Sequence, residues 1–83
     1  MLKIKDSVNL KELEKFGFRD LITYYIRSAT RKRDIIIWKY NKEIVDYLKD
    51  NTTYVGYKYE GEYKHIIRPY IQDLLQAGLV EKV

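Results

Sequence analysis

The stretch LITYYIRSATRKRDIIIWKYNKEIVDYL, residues 21–48, decides the fold. From Leu21 to Arg27 the side chains alternate with a period of two. Ile22, Tyr24 and Ile26 fall on one side and Thr23, Tyr25 and Arg27 on the other, in residue types that favour a pleated strand. Ser28 to Arg33 is polar and basic and reads as a connecting loop. Asp34–Tyr40 and Glu43–Leu48 then read as two further strands joined at Asn41 and Lys42. A two-residue loop there sets Tyr40 opposite Glu43, Trp38 opposite Val45 and Ile36 opposite Tyr47, giving one largely apolar cross-strand face. Lys42 is the weak point of that register. A tight hairpin turn requires a positive φ, which lysine adopts only at some cost, so a longer loop or a bulge is the alternative. A second alternative makes Asn41 a helix cap, with Ile44, Val45 and Leu48 as an apolar stripe.

Outward from this centre, Leu10, Leu13 and Phe16 recur at helical spacing within Val8–Phe16. Ser7 or Asn9 is available to cap the start, and Gly17 stands where a left-handed C-cap belongs. On the other side, Asp50 to Gly61 holds Tyr54, Val55, Tyr57 and Tyr59 between glycines and fits a fourth strand or an ordered loop. Ile66, Ile67, Tyr70, Ile71, Leu74 and Leu75 make the broad stripe of a helix that covers a sheet, closed by Gly78. Pro69 belongs in its first turn, which places the start of the helix near Arg68. Leu79–Val83 is short and alternating, and suits an edge strand. The expected fold is α+β, a single domain over residues 1–83. An N-terminal short helix leads into an antiparallel β-meander of three to four strands, and a C-terminal helix packs on the sheet.

Composition limits the chemistry. The 83 residues contain no cysteine and one histidine, which leaves no disulfide, no cysteine-based zinc site and no histidine cluster. No cofactor is expected. There is no nucleophile elbow, no phosphate-cradling glycine loop and no metalloprotease motif. His65, the one candidate general base, stands beside an apolar stripe as a surface histidine would, and Glu60 with Glu62 fits a solvated turn. The expectation is therefore a protein that binds without catalysis. The N-terminus lacks the apolar segment of a signal peptide, and the longest apolar run, Ile35–Trp38, is far short of the ~20 residues of a membrane helix. A cytoplasmic location with no membrane contact is expected.

The charge is unevenly spread. Lysine and arginine number 16 against 12 acids, a net +4. Residues 19–42 hold seven bases and two acids, whereas residues 43–62 hold two bases and five acids. In the basic stretch Arg27, Arg31, Lys32 and Arg33 gather across one loop, and Lys39 and Lys42 at the next hairpin extend the group if the two loops are neighbours. Guanidinium groups suit phosphate, and an exposed tyrosine such as Tyr25 suits base stacking, so nucleic-acid binding is one expectation. The rival reading is a charged strand end that discourages edge-to-edge association. In the acidic stretch and just beyond it, Tyr54, Tyr57, Tyr59 and Tyr63 offer many rings in few residues, as protein-binding loops do. A core-edge role competes with that reading. Pairing of exposed hairpin edges into a homodimer is open as well.

The opening MLKIKDSVNLKELEKFGF (Met1–Phe18) and the close IQDLLQAGLVEKV (Ile71–Val83) resemble the two ends of a group of small proteins encoded by bacteriophages and prophages of low-GC bacteria. The resemblance covers about a third of the chain and implies terminal helices around a variable β-rich middle. It carries no catalytic residue. It implies a phage or prophage accessory protein that binds a host or phage macromolecule, most plausibly a protein, for example as an inhibitor of a host enzyme or defence nuclease. The phrase LLQAGLVEK also resembles the end of a winged-helix recognition helix, which would imply DNA binding. Pro69 interrupts that helix, however, and the five residues after Gly78 are too few for a two-stranded wing.

Overall fold

The computed structural model describes residues 1–49, 57–59 and 67–83. Among the described residues seven strands are formed: β1 (Leu2–Ile4), β2 (Arg19–Asp20), β3 (Tyr24–Thr30), β4 (Arg33–Trp38), β5 (Ile44–Lys49), β6 (Tyr57–Tyr59) and β7 (Val80–Lys82). β2 to β6 pair in chain order as one antiparallel meander, and β1 pairs with β7 as a separate two-stranded ribbon. A 3₁₀ helix over Leu10–Phe16 precedes the meander. A 3₁₀ turn over Arg68–Ile71 runs into a short helix, α1 (Gln72–Gln76), after it. The α+β order of helix, meander and helix is the one the sequence predicts, with β6 in the segment open between fourth strand and loop and the short β2 added at the other edge.

Local chemistry sets the helix ends. Asn9 caps the first helix, its side chain accepting from the Lys11 amide, and Pro69 occupies the first turn of the last. Gly17 (φ 85°) and Gly78 (φ 74°) end the two helical segments in the same way. At the first, the Gly17 amide donates to Glu14 O and the Phe18 amide to Leu13 O. At the second, the Gly78 amide donates to Leu75 O and the Leu79 amide to Leu74 O. Both are the double-bonded αL closure that glycine makes without steric cost.

The sheet register sorts side chains into two layers. Tyr25 pairs with Ile37 and Ile37 with Ile44, and on this face they pack with Ile35, Ile4, Leu13, Phe18, Ile67, Ile71 and Leu74 into the main core. Ile26, Ile36 and Val45 pair along the other face, where Tyr24, Trp38 and Tyr47 pack over them. The C-terminal helix thus packs on the sheet through Ile67, Ile71 and Leu74.

Several expectations need correction. Ile36 pairs with Val45, not Tyr47, because the β4–β5 connection takes four residues, Lys39–Lys42. It is closed by the Lys42 amide on Trp38 O (2.8 Å) and the Trp38 amide on Glu43 O (3.1 Å). A slip of two residues leaves every side chain on its expected face. Lys42 does take a positive φ, 62°. Asn41 caps no helix: its side chain accepts from the Glu43 amide, and the residues that follow form β5. Ser28–Arg33 is not a loop, since the strands continue into it, a bulge falls between Ser28 and Thr30, and only Arg31 and Lys32 turn. Leu21–Thr23, expected in a strand, is a turn. Leu2–Ile4 was not expected as a strand, and its pairing with Val80–Lys82 replaces the winged-helix layout in which the chain's end would form a wing.

Candidate functional site

Arg27 projects from β3 into the main core side and is held there by four hydrogen bonds. Nη1 donates to Asp73 Oδ2 (2.6 Å) and Phe16 O (2.8 Å), and Nη2 to Asp73 Oδ1 (3.2 Å) and Tyr70 O (2.7 Å). Its guanidinium carbon also lies 4.5 Å from the centre of the Phe18 ring. Arg33 pairs with Asp46, a carboxylate buried in the sheet. Lys39 Nζ donates to Asp20 Oδ1 (2.6 Å) and stands 5.1 Å from the centre of the Tyr25 ring. Lys42 Nζ reaches three carbonyls of the N-terminal segment, those of Lys5, Asp6 and Val8, at 3.0–3.4 Å.

The antiparallel order places Arg31 and Lys32 at one end of β4 and Lys39 and Lys42 at the other. The two loops are not neighbours. Of the six basic residues, Arg31 and Lys32 alone present exposed side chains at a turn, while Arg27, Arg33, Lys39 and Lys42 join one part of the chain to another. Tyr25, expected to offer a ring to bases, is 2% exposed and belongs to the core. Burial first of all pushes its hydroxyl above the usual tyrosine range, with Asp20 acting in the same direction. Tyr57 and Tyr59 lie in β6, where Tyr59 is the register partner of Tyr47. Tyr54, Tyr63, His65, Glu60 and Glu62 lie outside the described residues.

The other end of the sheet carries a feature that alternation in the sequence hides. Trp38, at the end of β4, is ringed by Tyr24 (centroids 5.4 Å apart), Tyr40 (6.0 Å) and Tyr47 (6.3 Å). The planes are steeply inclined, as edge-to-face aromatic contacts prefer. Tyr40 in the β4–β5 turn is 81% exposed, and Ile22 in the β2–β3 turn is 85% exposed. The two turns share this end of the sheet, since Tyr24 pairs with Trp38 and the Lys39 amide donates to Thr23 O (3.1 Å). Leu21 is exposed beside them. Asp20 anchors the region. The hydrogen bond from Lys39, then that from the Ile22 amide, holds its carboxyl below the usual carboxylate range.

Among the described residues, no three histidine, cysteine, aspartate or glutamate side chains gather as a metal site would require, and no helix is long and apolar enough to cross a membrane. Comparison of the chain with family models, with curated proteins and with solved structures finds no match.

Proposed function

We propose that this chain is a non-enzymatic accessory protein that binds another protein, and that the contact is made by the sheet end carrying Leu21, Ile22, Trp38 and Tyr40. The observation that carries the reading is the exposure of Tyr40 and Ile22 together at one end of a sheet whose other large apolar side chains are mostly covered. Exposed apolar groups gathered at one place mark interaction sites, and a tyrosine backed by a tryptophan is the composition of an energetic anchor. The resemblance of the chain's two ends to small phage and prophage proteins supports a host or phage protein as the partner, met in the host cytoplasm. Nucleic-acid binding through the basic stretch has less support, because four of its six residues are engaged within the fold.

The test is affinity capture from host lysate with the tagged chain, repeated with Tyr40→Ser and, for the acidic segment, with Tyr57→Ser and Tyr59→Ser together. A stoichiometric partner lost with Tyr40→Ser and retained with the pair is expected. A lane with no stoichiometric partner refutes protein binding, and loss only with the pair moves the contact to β6.

A further inference from the structure

The β2–β3 turn is built around a residue that does not suit it. The Thr23 amide donates to Leu21 O (2.8 Å), closing a three-residue turn with Ile22 at its centre, and Ile22 has φ 72°. This is the rare positive-φ form of the γ-turn, and a β-branched residue at such φ is a genuine outlier. Five hydrogen bonds impose it. The Ile22 amide donates to Asp20 Oδ1 (2.9 Å), the Leu21 amide to Tyr24 O (2.8 Å), the Thr23 amide to Leu21 O, the Lys39 amide to Thr23 O, and Lys39 Nζ to Asp20 Oδ1. The Ile22 side chain returns nothing to the fold, since it is almost wholly in water. Glycine or asparagine would take this backbone with less strain. Strain that a structure over-determines and does not use internally points to an external use.

Resting on the protein-binding reading above, we propose that Ile22 is a docking finger that enters an apolar pocket with an acidic rim on the partner protein. The pocket follows from shape. A turn projecting from a sheet end is convex, and a convex tip set against a copy of itself across a two-fold axis buries too little for a stable dimer, whose partners each bury ~800 Å². A concave partner encloses the isoleucine and receives Tyr40 beside it. The acidic rim follows from charge. Lys39 pairs with Asp20, and exposed Arg19, one residue before Asp20, and Lys11, whose charge reaches the same carboxylate, outnumber the exposed acid Glu14, whose charge reaches Tyr25. The turn therefore lies in a region with a net positive charge, which favours carboxylates opposite and speeds encounter with them.

The experiment places benzoylphenylalanine in the full-length chain in place of exposed Thr23, which leaves Ile22 intact, and, as the control, in place of Lys32 at the far end of the sheet. After irradiation in host cells, one protein adduct from position 23 and none from position 32 is expected. With that protein purified, Ile22→Gly and Ile22→Asn each weaken Kd at least tenfold with thermal stability undiminished, and Lys11→Glu with Arg19→Glu weakens it severalfold more. An adduct from position 23 with Kd unchanged within twofold in both Ile22 variants overturns the finger and leaves protein binding standing. An adduct only to a second copy overturns the choice of occupant, and one only from position 32 overturns the location. No adduct from either position overturns the finger together with the protein-binding reading.

Discussion

Arg27 and Asp73 stand 46 positions apart and meet in two side-chain hydrogen bonds, which pin α1 to β3. The same guanidinium takes the carbonyls of Phe16 and Tyr70, so one side chain joins the end of the first helix, the central sheet and the last helix. Arg27→Met is expected to cost about 2 kcal/mol, allowing for the part-exposed carboxylate of Asp73. Urea denaturation checks this, and a loss below ~0.5 kcal/mol would show that the pair is ornamental.

The same pair sets an acid limit. Partial burial pushes the Asp73 carboxyl up, but the hydrogen bond and charge of Arg27, aided by backbone amides, outweigh it and hold the group below its ordinary value. A carboxyl depressed in the fold contributes stability that is complete above the unfolded value of about 4 and is lost as pH falls through the folded value. Thermal unfolding between pH 6 and 2 is expected to show a smaller acid-induced drop in Asp73→Asn than in the parent chain. Equal drops would remove Asp73 from the account.

Lys42 combines a positive φ with an ammonium shared among three carbonyls, so two substitutions separate its roles. Lys42→Ala loses the carbonyl contacts and keeps the strain, at an expected cost of about 1–2 kcal/mol. Lys42→Gly loses the same contacts but relieves the backbone, and is expected to be the milder change. The reverse order in chemical denaturation would refute this division.

Ile22→Gly is expected to stabilise the fold by about 1 kcal/mol, the relief of a strained φ less the added freedom of glycine in the unfolded chain. For a domain of this size that is a rise in Tm of about 4–8 °C. A fall in Tm would show that the turn is not strained.

Replacing Arg31 and Lys32 together by alanine is expected to leave stability within about 0.5 kcal/mol, as surface changes do. Arg33→Ala, which takes a paired cation away from the buried carboxylate of Asp46, is expected to cost about 3 kcal/mol. The contrast, read by thermal denaturation, separates exposed cations from structural ones in one short stretch of sequence.

What could be read from the residues was local. The run Ile35–Ile37 announces a buried central strand, Asn9 and Gly17 mark the ends of the first helix, and Pro69 sets the start of the last. What escaped was decided at a distance. The β4–β5 register depends on a Lys42 conformation held by carbonyls 34–37 positions earlier. Leu2–Ile4 becomes a strand only because Val80–Lys82 comes beside it. An arginine beside a basic loop looks like a ligand for phosphate until its carboxylate partner, far along the chain, is in place. Ile22 continues the alternation of Tyr24 and Ile26 so well that no pattern separates it from the strand. Only the hydrogen bonds of Asp20 and Thr23 do so.

The ribbon of β1 and β7 also has a consequence in time. Met1 and Val83 exchange hydrogen bonds, the Met1 ammonium donating to Val83 O and the Val83 amide to Met1 O. On the ribosome, β1 must wait for β7, which is made much later, and Ile4, fully buried in the finished core, stays without that part of its cover until then. The meander can zip hairpin by hairpin as it emerges, whereas closure of the core is a single late event. Chains truncated before Val80 are therefore expected to form the meander and to leave β1 without its pairing strand.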